Sequence, residues 1–328
     1  MDVLFLIEAG GRYGLGHLMR SAVLMKALAA GGIHSVTALR SGGGSVPEWA
    51  LPAGKLYMLD DNDSAVAQAE SLARECKPRW AVIDGYDFLA GNAVKQIKSL
   101  GVHVLAFDDL GIEGGGANIV VNQNCEAEDT RAVQRRLLGP KYAVVDPMYA
   151  ASGGPQVAQS VERMLVTFGG SDLHGMTGRV VSALTTIPGQ LKVDIVIGPH
   201  HRTREFAWTG SHRLTFHDAP HGLAAMLKTN DVVISAAGGT CWQACCSGIP
   251  LIAIQTVDNQ REVVACLAAH GCAITFGRPE FSRILETGQL FEVLQRLSDP
   301  TVRHSMITAQ RRLVDGNGAA RIVAAMDL

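Results

Sequence analysis

The chain of 328 residues has little net charge, few aromatic rings and no long apolar run. Its 29 Lys+Arg against 31 Asp+Glu leave a formal net charge of −2, and aromatics make up 5% of residues. That balance excludes the basic field by which a protein holds nucleic acid. A hydrophobic content of 47% excludes the core-poor composition of a disordered chain. No stretch approaches the ~20 apolar residues needed to span a bilayer, and the opening run MDVLFLIEAGG has no basic flank, so a cytoplasmic chain without a membrane span is expected. The seven cysteines, an odd number, include the adjacent Cys245 and Cys246, but none stands in a CxxC pair. Zinc and dithiol motifs are thereby set aside, and the thiols read as reduced, mostly buried small hydrophobes. No GxxxxGK[ST] P-loop occurs.

What the sequence does have is a repeated alternation of short apolar strands with helical segments. Its length suits two domains, each able to bury a core. A strand over 3–7 ends in a glycine loop and leads into a helix over about 18–30. Further strands are predicted at 35–39, 80–84 and 103–108, with helices near 63–76 and 92–100. Continuous apolar strands separated by helices indicate a parallel sheet covered on both faces. The stretch Ala151-Ser152-Gly153-Gly154-Pro155 interrupts the rhythm and is the expected linker. After it come strands at 163–168, 193–197, 231–235 and 251–254, with a helix over 176–186. The predicted fold class is therefore α/β, two Rossmann-like doubly wound domains over 1–152 and 153–328, the last helix packing back on the first domain. Ligand is expected in a central cleft at the carboxyl ends of the strands.

Three loops join glycine to a helix start: Gly14-Leu15-Gly16-His17, Gly169-Gly170-Ser171-Asp172 and Gly238-Gly239-Thr240. Such loops let backbone amides approach a ligand, and a helix N-terminus stabilises an anion. Each can equally be a tight turn after a strand, but two of them in the second half suggest a diphosphate there. His17 falls in a first helical turn, where the dipole disfavours imidazolium and leaves a neutral ring able to act as a base; capping or packing is the alternative. Arg20, one turn later, suits either a ligand or a salt bridge. Asp60, Asp61 and Asp63 precede a helix and read as N-caps. His200, His201, His217 and His221 have no metal spacing and read as surface or nucleotide-rim residues. Trp242 reads as packing.

Five segments, taken together and in order, resemble a known family. They are Glu8-Ala9 with Gly14-Leu15-Gly16-His17 and Arg20; Ile83-Asp84-Gly85-Tyr86-Asp87; Phe107-Asp108-Asp109; Phe168-Gly169-Gly170-Ser171-Asp172; and Ser235-Ala236-Ala237-Gly238-Gly239-Thr240-Cys241-Trp242-Gln243. Val121-Asn122-Gln123-Asn124, Leu138-Gly139-Pro140-Lys141-Tyr142 and Asn259-Gln260 agree as well. The sequence is similar to the PseG/SpsG-like UDP-sugar hydrolases, those of the pseudaminic acid pathway with their spore-coat relatives, and more distantly to MurG-like glycosyltransferases. The resemblance implies a GT-B fold, with nucleotide held mainly by the C-terminal domain and neither metal nor other cofactor required. It also implies a reaction in which water attacks the anomeric carbon of a UDP-linked 2,4-diacetamido-2,4,6-trideoxy sugar, and UDP leaves with inversion.

By that match His17 is the general base, and Tyr86 and Asn259 orient sugar or water. Gly169, Gly170, Ser171, Gly238, Gly239 and Thr240 surround the diphosphate. Gly14, Gly16, Arg20, Asp84 and Gln243 complete the expected substrate and nucleotide contacts. Asp84, Asp108 and Asp109 either bind sugar hydroxyls and orient His17 or Tyr86, or cap their loops. Three positions depart from the family. Gln243 replaces a ribose-binding Glu, Gly85 stands where His is common, and Tyr142-Ala143-Val144-Val145-Asp146 exchanges a cation for an anion. A glycosyltransferase on the same fold and a catalytically silent nucleotide-sugar-binding subunit are the alternative functions.

Overall fold

The computed structural model describes residues 1–112, 116–124, 135–151, 157–278 and 288–328. Most of the expected linker, from Ser152 on, lies outside them. The chain divides into two compact units, Met1–Val145 with Asn317–Leu328, and Asp146–Gly316.

Among the described residues the first unit has seven strands: β1 (Val3–Glu8), β2 (Ser35–Arg40), β3 (Leu56–Leu59), β4 (Trp80–Asp84), β5 (His103–Phe107), β6 (Ile119–Asn122) and β7 (Arg135–Leu138). They pair in parallel in the order β3-β2-β1-β4-β5-β6-β7. Its early helices are α1 (Gly16–Ala30), α2 (Ala65–Cys76), α3 (Tyr86–Ala90) and α4 (Ala93–Ser99). Every residue of β1 is buried, and its side chains alternate between two cores. Val3, Phe5 and Ile7 join the cluster under α1, while Leu4 and Leu6 join the one under α2 to α4. This is why VLFLIE reads as a continuous apolar run rather than an alternating one.

The second unit has β8 (Arg163–Thr167), β9 (Lys192–Ile197), β10 (Arg213–Asp218), β11 (Val232–Ala236), β12 (Leu251–Ile254) and β13 (Ile274–Phe276), parallel in the order β10-β9-β8-β11-β12-β13. Around them lie α5 (Met176–Leu184), α6 (Ala224–Thr229), α7 (Gly239–Ser247), α8 (Arg261–Ala269), α9 (Gln289–Leu297) and α10 (Pro300–Leu313). The last helix, α11 (Gly318–Ala325), belongs to the first unit, where Ala319, Ile322 and Ala325 share the core of Leu18, Leu24 and Leu28 from α1. In each sheet the strand order reverses once, between β1 and β4 and between β8 and β11, and such reversals open crevices at the carboxyl ends of the strands.

Several expectations change in detail. α1 starts at Gly16, two residues before the expected start, with His17 in its first turn as expected. α2 is capped by Ser64, whose Oγ accepts from Ala67 N–H, and not by the acids before it. Asp61 instead turns back to accept from Ser41 Oγ and the amides of Gly42 and Gly43. Asp60 holds Asn62. Cys76, Cys241, Cys245, Cys246 and Cys272 are free thiols, as expected, whereas Cys266 is disulfide-bonded.

Candidate active site

At the reversal in the first sheet, β1 ends in Glu8 and β4 in Asp84, which sit on neighbouring strands with Ile7 paired to Asp84. The chain leaving β1 folds a tight loop in which Gly10 and Gly14 bridge each other, then enters α1 with no side-chain cap and no acid in its first turn. That entry carries His17 toward Asp84, 3.7 Å from Nδ1 to Oδ1, too long for a hydrogen bond. Nδ1 is buried with no hydrogen-bond partner, and the imidazole is 12% exposed. Burial pushes the His17 pKa down and Arg20 adds to the effect, against the pull of Asp84 and Asp109. This desolvation acts in the same direction as the helix dipole expected from the sequence. The ring of Tyr86, at the start of α3, stands edge-on to His17 with centroids 4.9 Å apart.

Arg20 forms the next layer. Its Nε and Nη2 donate to the two oxygens of Asp84 at 2.8 and 2.7 Å, and Nη1 donates to Asp109 at 2.6 Å. Its plane lies over Phe107, 4.6 Å from the ring centroid. Ser21 Oγ also donates to Asp84, which is 0% exposed. Burial works against the Arg20 charge, yet Asp109 and Asp84 outweigh it and hold the guanidinium well above its ordinary pKa. For Arg20 a salt bridge and ligand contact are both open from the sequence, as are a structural role and ligand contact for Asp84. The structure gives them to each other, in a buried triad with Asp109 that fixes the wall behind His17. Asp108 caps its own loop by accepting from Leu110 and Ile112.

Glu8, the last residue of β1, has its role in the turn after β4. Its carboxylate is buried, and the Asp87 amide donates to both oxygens at 3.0 and 3.2 Å, so it caps the turn that bears Tyr86. Burial raises its pKa to about 7, against the lowering effect of that amide. Gly85 makes the contact possible, since a Cβ there would stand 2.7 Å from Glu8 Cδ. Any side chain at position 85 would therefore displace the carboxylate. Outside this pair, Asp87 gathers Arg12 and Tyr13, the tyrosine hydroxyl donating at 2.7 Å.

At the reversal in the second sheet the two expected glycine loops differ. In Gly169-Gly170-Ser171-Asp172, Asp172 turns its carboxylate onto the first turn of α5, accepting from Met176 N–H at 2.7 Å and Thr177 N–H at 2.8 Å. That helix end already holds an anion. Gly198 packs against this loop so closely that a Cβ would lie 2.3 Å from Gly169 O. His201 is buried, with Nε2 3.1 Å from Gly169 O, and is therefore not a surface residue. His217 pairs with Asp194.

The loop after β11 is open by contrast. α7 begins at Gly239 with no side-chain cap and no acid in its first turn, and a Cβ on Gly239 would meet nothing within 4 Å. Gln260 reaches toward it, its Nε2 being 3.8 Å from a Cβ built on Gly238, while its Oε1 accepts from Thr256 N–H. Asn259, on the same 3-10 turn (Asp258–Gln260), is exposed. Gln243 is half-buried on α7, and Trp242 is buried, as the packing reading requires.

Two parallel Rossmann-like units in one chain define the GT-B class of fold. Solved structures agree across the chain. MurG of Acinetobacter baumannii superposes with a TM-score of 0.71 at 15% identity, covering 100% of this chain and 99% of its own. The spinosyn rhamnosyltransferase SpnG complexed with thymidine diphosphate gives 0.64 at 18%, covering 99% of each chain. The UDP-GlcNAc 2-epimerase of Neisseria meningitidis bound to UDP-GlcNAc gives 0.65 at 12%, again covering 99% of each.

In sequence, the chain matches no family model. It is similar to the spore coat polysaccharide biosynthesis protein SpsG of Bacillus subtilis, 24% identical over 192 residues, 57% of this chain and 56% of that protein. It is also similar to protein MJ1062 of Methanocaldococcus jannaschii, 21% identical over 281 residues, 80% of this chain and 57% of that protein. The matches thus span little more than half the length of either relative. No helix among the described residues is long and apolar enough to cross a membrane.

Proposed function

We propose that the protein is a UDP-sugar hydrolase that releases UDP from a diacetamido-trideoxy sugar nucleotide with inversion at the anomeric carbon, for surface-polysaccharide biosynthesis. The observation that carries this reading is the imidazole of His17, held uncharged by burial at the sheet reversal of the first unit. Its Nδ1 lies 3.7 Å from the Asp84 carboxylate, which favours the tautomer with the proton on Nδ1 and leaves the Nε2 lone pair to take a proton from water. Tyr86 limits the ring's rotation and offers a hydroxyl to the sugar or water. The uncapped N-terminus of α7, with Gly238, Gly239 and Thr240, is the reading's diphosphate site, where fixed amides stabilise the departing anion. Gln243 supplies a neutral amide to the ribose, Asn259 lies at the sugar, and Gly14 and Gly16 give the chain room beside His17. The likeness to SpsG, whose name places it in spore coat polysaccharide biosynthesis, and to structures holding thymidine diphosphate or UDP-GlcNAc supports a nucleotide-sugar substrate.

The test is UDP release from candidate UDP-sugars without an acceptor, with the anomer of the free sugar followed by proton NMR. Acceptor-independent release that is lost in His17→Ala supports hydrolysis. Release that begins only when a hydroxyl acceptor is added supports the second reading, a glycosyltransferase. That reading is favoured by the likeness to MurG and SpnG, with the same imidazole deprotonating an acceptor hydroxyl.

A further inference from the structure

At the amino ends of the strands of the first sheet, opposite the end that carries His17, lies a cavity of about 480 Å³. That is within the roughly 300–1,000 Å³ of small-molecule sites. Four of the residues lining it are the first residues of four neighbouring strands: Trp80 of β4, His103 of β5, Ile119 of β6 and Arg135 of β7. Trp80 pairs with His103, Leu105 with Ile119, and Ile119 with Arg135. Side chains alternate along a strand, so this register sends all four to the same face of the sheet as Leu105, the face that α1 and α11 cover. α11 stops at Ala325, and Met326 and Asp327 line the cavity beyond it.

The lining joins an apolar floor to cations. Trp80, Ile119 and Met326 are buried, and the indole lies against the His103 ring with centroids 5.1 Å apart. Arg135 Nη1 donates to Ala325 O at 3.0 Å, which braces the guanidinium on the last turn of α11. That bond uses one of five N–H donors, so capping the helix does not account for the whole group. Arg79, one residue before β4, is exposed, and among the described residues its guanidinium has no hydrogen-bond or ion-pair partner. Asp327 is the one carboxylate among the described lining residues, so two guanidiniums leave the wall positive. We propose that this cavity is a second ligand site, taking a small organic phosphate whose flat or apolar body lies on Trp80, Ile119 and Met326 while Arg79 and Arg135 hold its anion. Planar forked donors match phosphate oxygens in pairs, and two of them match a dianion better than the single charge of a carboxylate. Bound there, the ligand ties the starts of β4 to β7 to the end of α11 and stabilises the docking of that helix by mass action. The site is independent of the hydrolase reading, because none of its residues enters that chemistry.

The probes are phenyl phosphate, which carries both parts, inorganic phosphate and phenol, which carry one each, and benzoate, which exchanges the anion. The Trp80 indole signal, assigned by its loss in Trp80→Phe, is followed by NMR in each titration. Phenyl phosphate should shift it saturably and bind at least about tenfold more tightly than any of the other three. Arg79→Ala should weaken that binding about tenfold and Arg79→Lys less. The melting temperature without ligand should stay the same in both, because Arg79 has no partner to lose. At a phenyl phosphate concentration near its Kd, the rise in melting temperature should shrink in Arg79→Ala and persist in Gly239→Asp, whose added carboxylate lies at α7. A Trp80 signal that no probe moves overturns the proposal, as does binding that is equal in Arg79→Ala and the natural protein. Benzoate binding as tightly as phenyl phosphate overturns the assignment of a phosphate.

Discussion

The crevice of the first sheet is crowded with charge, and that of the second is lined with amides. Around β1 and β4 stand Glu8, Asp84, Asp87 and Asp109 with Arg12, Arg20 and His17; after β8, the carboxylate of Asp172 is bound to the amides of α5. Both units have the same strand order about the reversal, so topology alone does not distinguish them. What differs is which helix ends remain open. α5 is closed by its own Asp172, α1 opens onto a neutral imidazole, and α7 has neither a side-chain cap nor an acid in its first turn. On the proposed function, one unit tunes and moves protons and the other receives an anion.

The sharpest way to break this division is His17→Ala. Turnover should fall by about 10² to 10⁴ with UDP affinity by calorimetry unchanged, because the imidazole acts on the proton and not on the nucleotide. A parallel loss of UDP affinity would merge the two roles. Next comes Arg20→Met, which strands the buried Asp84 and Asp109 carboxylates and should destabilise the first unit by about 3–5 kcal/mol in urea unfolding. A smaller effect is expected from Gly239→Asp. It places on α7 the kind of carboxylate that α5 already holds and should weaken UDP binding about tenfold, the unfolding midpoint staying put. Asp172→Ala should cost the second unit about 1 kcal/mol and leave UDP binding nearly unchanged, since that loop is assigned a closed helix end.

The division has a pH signature too. His17 has a lowered pKa in the fold, so the unfolded chain binds its proton first, and stability should decline as pH falls below 6.5. Glu8 works in the opposite sense. Its pKa is raised from 4.5 to about 7, so its contribution is full below pH 4.5 and lost as pH rises to about 7. Thermal melts of Glu8→Gln against pH should lack the second trend and keep the first.

The sequence made the buried strands readable and left the exposed ones obscure. β1, β4 and β12 announce themselves because both faces are covered, and their bounds match the expectation within a residue. β10, Arg213–Asp218, is an edge strand with mostly exposed, mixed polar side chains and offers no such pattern. β13 has only three residues. The start of α1 was placed late because glycine and histidine are weak helix formers, and packing overrides that preference. At the site, His17, Tyr86 and the open α7 loop could be read from motifs. The role of Glu8 could not, because its partner amide is 79 residues away. The cap from Asp172 spans only four residues, yet an Asp after paired glycines is equally compatible with an open anion loop, so composition alone does not separate the two.

The return of α11 to the first unit bears on how the protein is made. Residues 317–328 complete the core that α1 begins, so the amino-terminal unit cannot finish folding until the ribosome has passed through the whole of the other one. At about 5–20 residues per second, the stretch from Asp146 to the last residue takes on the order of ten to forty seconds to synthesise. During that interval the apolar face of Leu18, Leu24 and Leu28 waits for Ile322, and a nascent chain at this stage is the natural client of a chaperone.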